Sequence, residues 1–240
     1  KSFRGASTAN LTRHGEAGFL LYGEVEAGRG RLSVGVSNGR EGLEVRVGGE
    51  SVGGAAVLAE ALPLQVIDPE VHNLIAGGPE LRRRFLDWVA FHVEHEHLFV
   101  WRKYRRALKQ RNAALKARSA EAVIRSWNIE FLELADLLDQ SRRRVLELST
   151  DSLQEHGYAL LETLLAFEYQ QGWAREKDLA EALEDGLERD FHLGSTQSGP
   201  HRADIKVSYD ERQARKLVSR GQQKLLASAL LPLKYYKRRV

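Results

Sequence analysis

Apolar and polar positions alternate along the first third of this chain and then change period. Phe19–Glu26, Leu32–Ser37 and Leu43–Val47 alternate with period two, and Gly-rich turns (Ala27-Gly28-Arg29-Gly30 and Asn38-Gly39-Arg40-Glu41-Gly42) separate them. That pattern predicts an antiparallel meander. A short helix follows over about Ala55–Leu62, then a strand over Leu64–Ile67 bracketed by Pro63 and Pro69. From Pro79 the period becomes helical: Leu81, Phe85, Trp88, Val89 and His92 recur at three- and four-residue steps, and the pattern runs to about Lys116. A second helical stretch runs from about Glu121 to Phe167, with Leu134, Leu137, Leu138, Val145 and Leu148 as apolar positions. Two long consecutive helices predict an antiparallel hairpin or a short coiled-coil arm. Glu176–Phe191 reads as a further helix, Gly194–Gly199 as a polar loop, Ala203–Tyr209 as a strand, and Ser219 as the N-cap of a last helix.

The 240 residues are 42% hydrophobic and 29% charged, which excludes a disordered or low-complexity chain. No apolar run approaches the roughly 18 residues needed to span a bilayer, and no secretory leader is visible. Cysteine is absent, which removes disulfides and thiolate metal sites. Methionine is absent too and the chain begins at Lys1, so a fragment of a longer protein is expected. The net charge of +3 conceals segregation: residues 81–118 carry eleven Lys/Arg against Asp87, Glu94 and Glu96, whereas residues 119–190 carry seventeen acids against seven bases. A basic stripe beside an acidic block predicts an anionic partner for one surface, or else a charge-laced arm with none.

The most informative string is Leu217-Val218-Ser219-Arg220-Gly221-Gln222-Gln223-Lys224. A Ser-x-Gly-Gln turn at a helix head offers backbone N–H groups, a hydroxyl and the positive helix end to an anion. Gly221 lets a phosphate approach, Gln222 orients polar groups, and Arg220 and Lys224 add charge. Taken alone, the string reads either as an anion site or as an ordinary N-cap.

It does not stand alone. Leu-Ser-Arg-Gly-Gln-like strings mark the signature motif of ABC-type ATPases of the SMC/RecF group, and Val218–Gln222 resembles them. Leu64-Gln65-Val66-Ile67-Asp68-Pro69-Glu70, Gly77-Gly78-Pro79, Arg82-Arg83-Arg84-Phe85-Leu86-Asp87, Leu108-Lys109-Gln110-Arg111-Asn112 and Gly199-Pro200-His201-Arg202-Ala203-Asp204 resemble further motifs of the RecF family in family order, as does Ser2-Phe3-Arg4. The resemblance covers residue 2 to about residue 230. It implies an α+β or α/β fold: a partial ABC-ATPase head whose β-rich lobe I carries a long-helix lobe II arm. Its divisions would be 1–78 (β-rich head), 79–175 (helical arm) and 176–240 (return to the head, with the signature helix at 219–230).

The same resemblance implies function. RecF-type proteins bind ATP, dimerise on it, bind single-stranded and gapped DNA, and help other recombination mediators load recombinase in recombinational repair and the SOS response, in the bacterial cytoplasm. They hydrolyse ATP slowly. Ser219, Arg220, Gly221, Gln222 and Lys224 would cap, in trans, the γ-phosphate of an ATP held with Mg²⁺ by another head. Either Gln65 or Glu70 would act as the Q-loop residue. The sequence departs from the family in two places. No G-x-x-x-x-G-K-[ST] phosphate loop occurs in the 240 residues, and Leu231-Pro232-Leu233-Lys234-Tyr235-Tyr236 follows the signature where an apolar strand ending in paired acids is expected. Whether the chain is an enzyme therefore stays open, and a non-enzymatic DNA- or protein-binding module on a degenerate head is the alternative.

Two further clusters carry expectations of their own. Arg102-Lys103-Tyr104-Arg105-Arg106 interleaves cations with an aromatic, which suits a DNA phosphate backbone, or else pairs with the acidic helix. His92, His95 and Glu96 share one face if the helix continues, but their spacing matches no metalloprotease motif, and a solvated face is the expected reading over a metallohydrolase. Trp88 and Trp101 are expected in the core or the arm packing.

Overall fold

The computed structural model describes residues 11–27, 30–62, 64 and 70–230. These residues divide into two compact units, one up to Leu64 and one from Glu70 onward.

The first unit is the expected meander. Strands β1 (Phe19–Ala27), β2 (Gly30–Gly39), β3 (Gly42–Val47) and β4 (Glu50–Val52) form a four-stranded antiparallel sheet in that order. The β1–β2 register runs from Phe19 opposite Asn38 to Ala27 opposite Gly30. Strand β4 was not legible as alternation because it has three residues. Its signal is the turn: Gly48 and Gly49 adopt φ of +63° and +86°, the left-handed pair of a two-residue hairpin loop between the partners Val47 and Glu50. Val34 and Val45 are the buried centre, and α1 (Ala55–Ala61) follows. Except for Leu64, which is exposed and outside any strand, the strand expected at Leu64–Ile67 lies outside the described residues.

The second unit is built on helices. After α2 (Asn73–Ala76), Pro79 opens α3 (Pro79–Val93) at a position where its missing N–H costs nothing. The helical period continues to Lys116 in the sequence, but the backbone breaks: Glu94 is extended, and α4 (His97–Lys116) starts afresh. The break is stabilised by tertiary contacts. The Glu94 carboxylate accepts from Arg144 Nε and Nη2 at 2.9 and 3.1 Å, and His97 Nδ1 lies 2.8 Å from Ser141 Oγ. The 41-residue helix α5 (Glu121–Leu161) runs antiparallel to α4: His97 meets Ser141, Tyr104 meets Phe131, and Arg111 meets Asn128, so partners move in opposite directions along the two helices.

Helix α5 ends earlier than its apolar pattern suggested. Glu162 turns left-handed at φ 53°, and Leu165, Phe167 and Tyr169 pass to strand β5 (Leu165–Gln170). The helical and alternating periods overlap in this stretch, and the sheet decides it. Glu176–Phe191, expected as one helix, is two: α6 (Leu179–Asp185), whose Asp178 and Glu181 form a reciprocal capping box, and α7 (Leu187–Leu193), with Gly186 between them. Strand β6 (Asp204–Tyr209) pairs antiparallel with β5, and β7 (Arg212–Gln213) flanks it. A turn of α8 (Ala214–Leu217) leads to α9 (Arg220–Leu230).

Three apolar clusters hold this unit along α5. Its C-terminal half packs Val145, Leu146 and Leu153 against Leu86, Leu165, Ile205, Leu226 and Ala227. Its middle packs Phe131, Leu134 and Leu138 against Tyr104 and Leu183. Its N-terminal end packs Ile124 against Leu115 and Leu187. Phe131, Ile124 and Leu138 are fully buried, which is where large side chains stabilise most.

Candidate functional site

Helix α9 presents its head to solvent and its flank to the core. Leu226 and Ala227 are fully buried, whereas Ser219, Arg220, Gly221 and Lys224 are exposed. The N-cap reading of Ser219 is realised: Gln222 N–H donates to Ser219 Oγ at 3.3 Å, and Ser219 N–H donates to Gln222 Oε1 at 2.9 Å. This reciprocal pair satisfies one of the four orphan donors of a helix start and fixes both side chains that the resemblance assigns to phosphate. Among the described residues, no acceptor takes the N–H of Arg220 or Gly221, and no carboxylate pairs with Arg220 or Lys224. A Cβ placed on Gly221 would meet only Ser219 Oγ, at 3.9 Å. The glycine is therefore not demanded by this chain's own packing, and the space above it is open to a ligand. These groups fit a phosphate: two backbone donors at the positive end of an eleven-residue helix, with two flanking cations.

Of the two Q-loop candidates, Gln65 lies outside the described residues. Glu70 is exposed and accepts from Asn73 Nδ2 at 2.9 Å, beside α2.

Arg102, Lys103, Arg105 and Arg106 are all exposed on α4, and among the described residues none has a carboxylate within ion-pair distance. Lys103 Nζ sits 4.4 Å from the Phe99 ring centroid and the Arg105 guanidinium 4.8 Å from that of Trp101. The interleaved aromatic is corrected: Tyr104 is 2% exposed and faces the core, so it offers no stacking surface. The alternative that these cations neutralise the acidic helix is not what the structure has. Arg142, Arg143 and Arg144 of α5 carry the ion pairs, with Asp87, Asp139 and Glu94.

The histidine face also changes. Helix α3 ends at Val93, so His92, His95 and Glu96 do not share a helix face, and among the described residues no group of three His, Asp or Glu is arranged to hold a metal ion. Trp88 packs against the core cluster of α3 and α5, and Trp101 Nε1 donates to Asp87 Oδ2 at 3.0 Å.

The other quoted motifs turn out to brace one another. Arg82 donates to both oxygens of Asp204 (2.6 and 3.0 Å) and to the carbonyls of Leu74, Ile75 and Gly77, while Arg83 donates to the carbonyl of Ala203 at 2.7 Å. Burial and the nearby Arg142 cation lower the Arg83 pKa. Asp87 accepts from Arg142 at 2.8 and 3.0 Å, and Arg142 also donates to the Pro200 carbonyl. Burial alone would raise the Asp87 pKa, but the His97 ring and the Arg142 guanidinium outweigh it and hold the carboxyl below its ordinary value. Arg111, fully buried, donates to Asn128 (2.9 Å), Asp190 (2.7 Å) and Thr196 (2.7 Å), and Asn112 accepts from the Thr196 N–H and hydroxyl.

His201 completes this frame. Its Nε2 lies 2.8 Å from the Thr196 carbonyl, which can only accept, so Nε2 carries the hydrogen and Nδ1 accepts from the Tyr104 hydroxyl at 2.7 Å. Burial pushes the His201 pKa down to about 4, against the Thr196 bond, and keeps the ring neutral. Burial also raises the pKa of the Tyr104 hydroxyl, consistent with its donating. Sequence reasoning missed this network because its partners are far apart along the chain.

No protein-family model matches the chain. Its fold is that of two solved structures of the recombination mediator protein RecF in the RecFOR pathway. The ATP form gives a TM-score of 0.84 at 24% identity, over 96% of this chain and 66% of that one. The form described as RecF-ATPrS gives 0.82 at 22%, with the same coverage. The mixed helix and sheet of this chain therefore has the fold of the matching part of those structures. Among curated sequences, the DNA replication and repair protein RecF of Yersinia pseudotuberculosis is 40% identical over 232 residues, and that of Edwardsiella ictaluri 40% over 233. The similarity to the Yersinia relative covers 96% of this chain, which spans about 64% of that relative's length.

Proposed function

We propose that this chain supplies the ATP-capping face of a RecF-type head and a DNA-backbone contact on its arm. The observation that carries the first part is the exposed head of α9, where the Ser219–Gln222 cap leaves the Arg220 and Gly221 N–H groups without an acceptor among the described residues and a Cβ on Gly221 would meet only Ser219 Oγ. ATP brings the phosphates. Ser219, Gly221 and Gln222 orient the helix end toward the γ-phosphate held by another head, and Arg220 and Lys224 balance its charge. Residues 79–175 act as the arm and 176–240 as the return to the head. Glu70 or Gln65 serves as the Q-loop residue.

The second part rests on Arg102, Lys103, Arg105 and Arg106 of α4, which are exposed and have no ion-pair partner among the described residues. They address phosphates and not base edges, so binding of single-stranded or gapped DNA is sequence-tolerant and weakens with salt. On this reading the protein forms ATP-dependent homodimers, uses Mg²⁺ with its ATP, and works with other recombination mediators in recombinase loading, in the bacterial cytoplasm. The alternative, a module that binds DNA without nucleotide chemistry, is favoured by the independence of the α4 cations from α9.

One pair of experiments separates the readings. The chain is mixed with a RecF head carrying an intact phosphate loop, and mass is followed by light scattering with and without ATP. ATP-dependent association abolished by Ser219→Arg is expected; association that survives the substitution overturns the capping role. DNA retardation at low salt that is unchanged by replacing the four α4 cations with glutamate overturns the arm assignment.

A further inference from the structure

The Gly-Pro-His-Arg turn does more than brace the frame. Gly172, at φ +91°, lies so close beneath it that a Cβ there would stand 2.6 Å from Ala203 N and 2.8 Å from Arg202 C. Gly199 N–H donates to the Gly172 carbonyl at 3.3 Å. This contact pins the loop after β5 against the turn, and two adjoining hollows border that loop. The first, about 510 Å³, is walled by α5, β5 and the turn, and includes Arg143, Tyr169, Trp173, Arg175 and Arg202, with Glu168 as its acid. The second, about 440 Å³, is bordered by Leu132, Leu179 and Ala180, with Asp136 and Asp178 against Arg175 and Lys177. Trp173 and Arg175 border both.

The two hollows differ in chemistry. The first has three guanidinium groups against one carboxylate, whereas the second has balanced charges and aliphatic side chains. The cations of the first have different partners. Arg143 is held by Asp139 Oδ2 (2.6 Å) and Gln171 Oε1 (2.7 Å), with its guanidinium 4.9 Å from the Tyr169 ring centroid. Arg175 is the more exposed, and its ion-pair partner among the described residues is Glu168, at 3.3 Å. Arg202 donates to Gln197 Oε1 at 2.8 Å and has no carboxylate partner among the described residues. The indole between them is fixed, because Trp173 Nε1 donates to the Lys177 carbonyl at 3.2 Å.

From this we infer that the paired hollows around Trp173 are a subsite for one unstacked nucleotide of a single strand. Its base lies on the indole over the aliphatic hollow, and its phosphate faces Arg175 and Arg202. An aromatic platform beside backbone-directed arginines is the arrangement by which single strands are held without sequence preference. A duplex does not fit, because its bases are stacked and paired. The subsite lies on different elements from α9 and from the α4 cations, so it stands or falls separately from both.

The test uses the 240-residue chain and follows tryptophan fluorescence at low salt. The probes are a thymidine hexamer, an abasic hexamer of the same charge, thymidine monophosphate and an acidic hexapeptide. The thymidine hexamer is expected to quench the wild-type chain. Trp173→Ala should remove that quench and weaken hexamer binding, measured by anisotropy of a labelled strand, by about tenfold or more. Arg202→Gln with Arg175→Gln should weaken it while leaving the fold, read by circular dichroism, unchanged, since both side chains are exposed. A chain with the four α4 cations replaced should keep the Trp173 quench. Binding of the monophosphate alone, with the hexamer no tighter, would make this a free-nucleotide pocket. Equal binding of the abasic strand, preference for the acidic peptide, or a quench that survives Trp173→Ala would each overturn the proposal.

Discussion

Arg82 and Asp204 meet through two parallel hydrogen bonds, of 2.6 and 3.0 Å, although 122 residues separate them. The pair ties the start of α3 to the first residue of β6, the central strand of the three-stranded sheet. Its side chains are 7% and 25% exposed, so the charges are largely removed from water. Removing Arg82 would strand the Asp204 carboxylate and three backbone carbonyls. Arg82→Met is expected to cost about 3–5 kcal/mol in urea unfolding. The double substitution with Asp204→Leu should recover part of that loss. A loss below about 1 kcal/mol for the single substitution would mean the pair is not holding the strand.

Acid should loosen the frame through His201 before it reaches the carboxylates. The folded pKa of about 4 lies below the ordinary value of 6.5, so the unfolded chain binds the proton first. The His201 contribution is complete above pH 6.5 and is lost as pH falls from there toward 4, at up to about 1.4 kcal/mol per pH unit. Asp87, held below its ordinary 3.8, loses its contribution only at lower pH. His201→Gln should flatten the stability profile between those limits; an unchanged slope would assign it to another group.

Gly172 carries both a left-handed backbone and a closed contact. Gly172→Ala asks an L residue to hold φ +91° with its methyl against the backbone of Gly199, Arg202 and Ala203. A loss exceeding 2 kcal/mol is expected by the order of such strain plus overpacking, read by thermal unfolding. Gly221→Ala, with open space above it, is the contrast: its effect on stability should stay within about 0.5 kcal/mol.

Ser219 can be tested for its structural part alone. Ser219→Ala removes the Oγ acceptor of the Gln222 N–H and should cost about 1 kcal/mol. For a chain of this size that is a fall of roughly 2–4 °C in Tm. Ser219→Asp keeps a cap and should restore stability while placing a negative charge where a phosphate is proposed, so stability and ATP-dependent association would part company.

Much of this was legible in local pattern. The meander follows from its glycine turns, and the Ser219 helix start from its cap. The helices were overdrawn wherever a tertiary contact cuts a continuing period: Glu94 leaves the helix for Arg144, and Leu165 leaves it to pair opposite Tyr209. The family motifs were legible as strings, but not as what they do. Arg82, Asp87, Arg111 and His201 spend their polar groups on one another's segments, and spacing along a chain carries no sign of a partner 79 or 122 residues away. Trp173 gave no periodic or motif signal, and only the fold brings Arg143, Arg175 and Arg202 around it.

Helix α5 has a mechanical consequence. Its 41 residues make a rod about 60 Å long at 1.5 Å per residue. One end is packed against α9 through Leu226 and Ala227, and the other carries Ile124 beneath the tip of the basic helix α4. A rod of that length is a lever: tilting it by five degrees at the α9 end sweeps the far end through about 5 Å. Whatever closes on Ser219 and Gly221 therefore acts at one end of a single stiff element, whose middle is packed against Tyr104, beside the exposed cations of α4.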